Sequence, residues 1–290
     1  MNVSDSHKPT ACKLKCQQCF TGLGGLLYSW FGAEQPVLFL IEQNGLMKRA
    51  THFDELLSTW EFDPGNLNVR LVKGKDGRDV IQMRVDMGML QLETTGRPDG
   101  AVYDESETYL DHLQHLRLQD PEHKLSEEEC NEVDREFMQF YHRRICWLRL
   151  QYYHRAVMDA DHTLRLMDLS SEMSPEEDWG SAHEQYRPFV LFHRTQAQAL
   201  GELEDHTAEE AIQAINQGLE VIHQFFIKHE AEDHFEEDEL VVRLIEMRES
   251  LRNEYSVGKT LKEQLAAAVE QEQYELAAKL RDELTRREAN

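Results

Sequence analysis

Between Asn68 and Glu93 the apolar positions come in short runs bounded by turn residues, which is how strands of an antiparallel sheet read. Asn68–Val72 follows the turn Asp63-Pro64-Gly65. Lys73-Gly74-Lys75-Asp76-Gly77 reads as the hairpin connection to a second strand, Val80–Val85. Met89–Glu93 fits a third strand, closed by the turn Thr95-Gly96-Arg97-Pro98-Asp99-Gly100, and the apolar run Val37–Ile41 fits a further one. Phe53–Trp60 and Tyr109–Leu118 read as short helices. Residues 34–120 are therefore expected to form a small α+β domain on an antiparallel sheet.

From residue 126 the period changes from two to three and four. Ser126 followed by Glu129 is a capping-box start. Val133, Phe137, Phe140, Tyr141, Arg144, Ile145 and Leu148 then recur on one face, predicting a helix over Val133–Leu150. A second helix is expected from Tyr152 to Leu169, and residues 170–183 read as a loop with Met173 and Trp179 tucked inward. Leu150-Gln151-Tyr152-Tyr153 precedes Ala156, Ala160 and Leu164, and Leu200-Gly201-Glu202-Leu203 precedes Ala211, Ile215 and Leu219. Within each segment the last three positions repeat at four-residue steps. The two segments resemble tetratricopeptide (TPR) repeats, in which small residues let paired antiparallel helices approach closely. They stand 55 residues apart, measured from Ala156 to Ala211, instead of the ~34 of that family. Residues 126–256 are thus expected to be a TPR-like helical domain, and the fold class as a whole is α+β, predominantly helical.

The C-terminal segment carries the most specific pattern. Leu261, Leu265, Ala268 and Val269 form a helical stripe, and Gln271-Glu272-Gln273 turns the chain. Tyr274-Glu275-Leu276-Ala277-Ala278-Lys279-Leu280-Arg281-Asp282-Glu283-Leu284 follows. Residues 257–290 resemble the UVR motif, the helical hairpin of the UvrB and UvrC excinuclease subunits. The same motif occurs in adaptors that load AAA+ Clp proteases, such as the McsA-like proteins. The resemblance implies docking: in the excinucleases the hairpin joins subunits, and it does not itself cut DNA. Two short helices are marginal alone, because helix nucleation is unfavourable and little surface is buried. On that reasoning Leu261, Leu265, Val269, Tyr274, Leu280 and Leu284 supply an apolar face, and Ala277 and Ala278 let the helices cross closely. Arg281 and Asp282 set register at the rim. The expected partners are a Clp-type AAA+ unfoldase or another UVR hairpin, which includes self-association.

Charge sharpens this picture. The 290 residues hold 31 Lys+Arg and 55 Asp+Glu, a net charge of −24. Residues 170–256 account for −15 of it, with 6 basic against 21 acidic residues, including the run Glu230–Glu239. Such a surface repels phosphate backbones and argues against direct nucleic-acid binding. No apolar run reaches the roughly 18–20 residues of a membrane helix. Five cysteines, an odd number, fit a reducing compartment and an expected cytoplasmic location. Lysines precede the Gly-broken apolar stretch Phe20–Phe31, but that stretch is short for a signal peptide. Residues 1–33 are therefore read as a flexible leader.

Candidate chemistry is sparse. Cys12, Cys16 and Cys19 form C-x3-C-x2-C, part of a zinc pattern whose nearest fourth ligand is His7. The McsA-like proteins carry complete cysteine pairs upstream, and this set is incomplete. Asp159 and His162 share a helix face near His154, and His229, Asp233 and His234 form a second group; both read as solvated helix faces. Met83, Met87 and Met89 in the sheet region read as core. No P-loop, G-x-S-x-G, H-E-x-x-H or Rossmann glycine pattern occurs. The expectation is a non-enzymatic adaptor without cofactor. Its rivals are an accessory factor of nucleotide-excision repair and an enzyme with its site in the α+β domain.

Overall fold

The computed structural model describes residues 53–288. The expected strand Val37–Ile41 and the cysteines Cys12, Cys16 and Cys19 lie outside them. A short helix, α1 (Asp54–Thr59), comes first, and three strands succeed it: β1 (Asn68–Lys73), β2 (Asp79–Val85) and β3 (Gly88–Glu93). They form an antiparallel sheet in the order β1-β2-β3, in register Val69↔Met83 and Ile81↔Leu92. The turns fall where glycine permits them. Gly74 N–H donates to the Arg78 carbonyl at 2.8 Å, and Gly77 holds φ +85°, which any Cβ would strain.

The period-two pattern gives the sheet two different faces. Ile81, Met83 and Leu92 share a hydrophobic cluster with Cys146, Trp147, Ala156 and Ala197 from the helices. On the other face Arg70 donates to Gln82 Oε1 at 2.8 and 2.9 Å, and Gln82 donates to Gln91 at 3.1 Å. Arg70 also lies 4.1 Å over the Trp60 ring. Of the three methionines read as core, Met83 is buried, whereas Met87 is exposed beside the β2–β3 turn.

The helical body comprises α2 (Tyr109–Gln119), α3 (Glu127–Arg149), α4 (Tyr153–Glu172), α5 (Glu177–Glu184), α6 (Arg187–Asp205), α7 (Ala208–Lys228) and α8 (Glu239–Tyr255). Ser126 and Glu129 close the capping box of α3, and Thr207 and Glu210 repeat it at α7. Residues 170–183 are not a loop. Helix α4 runs on to Glu172, and α5 begins at Glu177, four residues after Met173. Burial explains the difference: Met173 is fully buried, its carbonyl accepts from Leu125 N–H at 2.9 Å, and Trp179 packs on the same cluster.

The two segments read as repeats occupy different local settings. Leu150-Gln151-Tyr152 makes the α3–α4 connection, with Gln151 at φ 64°, while Leu200–Leu203 lies inside α6. Their subsequent alanines are alike in burial, with Ala156, Ala160 and Ala211 all at 0% exposure. Helices α6, α7 and α8 share one core built on Ile212, Ile215, Ile222, Val241 and Leu244. There α6 and α7 cross so closely that a Cβ on Gly218 would overlap the Thr195 side chain. No helix among the described residues is long and apolar enough to cross a membrane.

Candidate functional site

The chain ends in α9 (Leu261–Glu270) and α10 (Tyr274–Glu288). Thr260 opens α9 with a capping box: its Oγ1 accepts from Glu263 N–H at 3.3 Å, and Glu263 accepts from Thr260 N–H at 2.7 Å. The turn is closed without glycine. Glu272 takes φ 57°, and Gln273 N–H donates to the Ala268 carbonyl at 2.7 Å. The seam between the helices consists of Ala268, Ala277 and Leu280, with Leu261 and Leu265 packed against them. Two alanines in this seam, Ala268 and Ala277, let the backbones approach, where the sequence pattern pairs Ala277 with Ala278.

The structure divides the expected apolar face in two. Leu261, Leu265 and Leu280 point into the seam, and Leu284 is half-buried. Val269 and Tyr274 do not: they are 52% and 68% exposed on either side of the turn. Leu276, which sequence spacing did not single out, is 45% exposed two positions beyond Tyr274. Ala277 sits in the seam, but Ala278 is exposed, because one residue is a 100° rotation about a helix of 3.6 residues per turn. Arg281 and Asp282 are exposed and pair with each other at 3.1 Å, leaving neither tied to the seam.

Glu263 also faces the body. It accepts from Asn216 Nδ2 of α7 at 3.0 Å and from Arg252 of α8. Burial pushes its carboxyl up, but the hydrogen bonds from Arg252, Thr260 N–H and Asn216 together outweigh burial and hold it below the ordinary carboxylate value. It is a carboxylate at neutral pH.

The titratable groups of the body are organised differently. Arg143 grips Asp159 with two bonds of 2.8 and 2.9 Å, and reaches the carbonyls of Glu93 at 3.1 Å and Gly96 at 2.8 Å. Glu136, fully buried, accepts from Tyr109 and Leu110 N–H at 2.6 and 3.0 Å, the first donors of α2, and from His162 at 2.8 Å. His162 stacks on Phe140 with centroids 3.6 Å apart. Arg144 donates to Thr163 Oγ1 at 3.0 Å and to His193 Nδ1 at 3.3 Å. Burial lowers the Arg144 guanidinium to about 10. Burial, reinforced by the Arg144 charge, lowers His193 to about 3, so that ring is neutral in the fold.

Asp159 and His162 are thus buried and not on a solvated face, each with its own partner, and His154 pairs with Asp205 at 2.6 Å. Among the described residues no group of three or more His, Cys, Asp or Glu side chains could hold a metal ion. The thiols of Cys130 and Cys146 are raised by burial to about 11 and about 12, and both stay protonated at neutral pH. Sequence reasoning placed Arg144 on an apolar face and missed Glu136, Arg143 and His193. Periodicity reports which side of a helix is inside, and long polar side chains satisfied by one another satisfy it as well as leucines do.

The family model of the UvrB/UvrC motif matches residues 259–289, the segment that builds the cap, the two helices and the turn. No curated protein and no solved structure matches the chain. The alanine seam, the Thr260 cap and that match agree on one conclusion, that this chain carries a UVR motif at its C-terminal end.

Proposed function

We propose that this chain is a non-enzymatic adaptor whose UVR hairpin docks a protein partner, either a Clp-type AAA+ unfoldase or another UVR hairpin. The observation that carries this reading is the unequal use of the hairpin's apolar residues. The seam takes Ala268, Ala277 and Leu280, while Val269, Tyr274 and Leu276 stand in water within eight positions around the turn. A partner's helices laid over that end would bury them. Arg281 and Asp282, exposed and paired with each other, can exchange that pairing for partner charges at the rim.

The body supplies the rest of the adaptor. Its helical pairs α3/α4 and α6/α7 are read as TPR-like scaffolding for a second contact, which raises the effective concentration of a modest hairpin. The odd cysteine count supports a cytoplasmic location. A second reading keeps the same surface and changes the partner: an accessory factor of excision repair that contacts a UvrB- or UvrC-type subunit. The family description of residues 259–289 favours it.

Titration of the purified full chain separates these readings. It is run against a purified Clp-type unfoldase and, in parallel, against a purified UvrB-type subunit. The chain's own sedimentation reports self-association. Binding to one of them that falls tenfold or more, about 1.4 kcal/mol, in the triple variant V269S/Y274S/L276S supports the reading and picks the partner. Equal binding by the variant overturns it.

A further inference from the structure

The hydrophobic seam of the hairpin and the core of α6, α7 and α8 are separate clusters. What joins them is polar. One carboxylate, Glu263, both caps α9 through Thr260 N–H and accepts from Arg252 on α8 and Asn216 on α7. Asn216 is itself held, through its Oδ1, by Arg248 Nη1 at 3.0 Å. The charged groups about this carboxylate are Arg252 and Arg248 on α8, Glu249 beside them, and Lys259 on the connecting segment. The connection has a natural pivot. Ser256 ends α8 in the left-handed region at φ 54°, Val257 packs on the body core, and a side chain placed at Gly258 would meet open space.

We propose that Glu263, Arg252 and Asn216 form a releasable latch that fixes the pose of the hairpin on the body. With the latch closed the hairpin is presented at one angle. With it open, and the contact of Thr260 Oγ1 to Gln213 Oε1 of α7 at 3.4 Å given up with it, the hairpin swings about Gly258 as an intact folded pair, because its hydrophobic seam is a cluster separate from the body core. A charge-assisted contact that is partly exposed is weakened by salt and by competing charges, which suits a joint meant to open. The latch sets the pose of the hairpin alone, independently of whether Val269, Tyr274 and Leu276 bind a partner.

The test uses the full chain and two body-side variants, R252M and N216A, alone and combined, which leave the Thr260–Glu263 cap in place. Amide nitrogen-15 relaxation reads the tumbling of residues in α9 and α10 against those in α7, and chemical shifts report whether the helices persist. Wild-type hairpin amides are expected to share the tumbling time of the body. In the double variant their effective time is expected to fall by roughly a third or more, with helical shifts unchanged. Three results would overturn the latch: hairpin tumbling that still tracks the body in the double variant, independent tumbling already in wild type, or loss of helical shifts on release.

Discussion

Two helical pairs in this chain meet the same packing problem by opposite means. The pair α3/α4 runs 23 and 20 residues and, beside its apolar core, buries hydrogen-bonded polar pairs between its helices, Arg143 on Asp159 and Glu136 on His162. The pair α9/α10 runs 10 and 15 residues and buries only alanine and leucine. Each buried polar group needs its own partner, and removing that partner is costly. An alanine–leucine seam of this size holds two helices together but has no surplus to cover its own outer surface. Exposed apolar side chains occur on both, with Met158 on α4 at 68% and Tyr274 on α10 at 68%; what sets the hairpin apart is that Val269, Tyr274 and Leu276 border a seam of only a few residues.

The largest effect is expected from removing one partner of the buried Arg143–Asp159 pair. Asp159→Ala leaves Arg143 buried without its carboxylate and is expected to destabilise the body by about 3–5 kcal/mol in urea unfolding. The paired apolar replacement R143M/D159L is expected to recover most of that loss, because the desolvation of both ions disappears with them. A small effect of D159A alone would mean that the body does not depend on this pair.

Acid should separate the two regions next. The folded value of His193, about 3, lies below its ordinary 6.5, so the unfolded chain binds the proton more tightly. The stability this group contributes is complete above pH 6.5 and drains away as pH falls from there towards 3. His193→Gln, which does not titrate, is expected to flatten the pH dependence of body unfolding across that window. An unchanged slope would assign the acid sensitivity to the carboxylates instead.

Within the hairpin, Leu280→Ala is expected to remove about 2 kcal/mol, at the low end for a buried leucine because the site is thinly packed. Hydrogen exchange should quicken in α9 and α10 while the urea midpoint of the body stays put. The smallest effect on stability belongs to the outward residues. Val269→Ser and Tyr274→Ser are each expected to change unfolding by no more than about 0.5 kcal/mol. A larger loss from either would place that residue in the fold and remove it from the docking surface.

Much of the fold was legible in the sequence, for identifiable reasons. The strands from Asn68 to Glu93 were marked by Gly74, Gly77 and a two-residue period, and the start of α3 by Ser126 and Glu129. Local chemistry settles such features. Helix α5 was not legible, because Gly180 and the polar residues around it read as loop until the body core gives Met173 and Trp179 a place to pack. The hairpin was recognised from its run of residues, but the direction of each side chain was not. Whether Val269 or Ala268 enters the seam depends on how α9 crosses α10, a relation between two helices that a single stripe does not contain. For the same reason Leu276, one turn from Leu280, stayed unnoticed as an exposed residue.

The most direct measurement is the titration of the full chain against a purified Clp-type unfoldase and a purified UvrB-type subunit, by calorimetry, with V269S/Y274S/L276S alongside. The wild type is expected to bind one of them or to self-associate, and the triple variant, folded and equally stable, to lose at least tenfold in that affinity. Equal affinity of the two proteins, or no binding and no self-association by the wild type, would contradict this expectation.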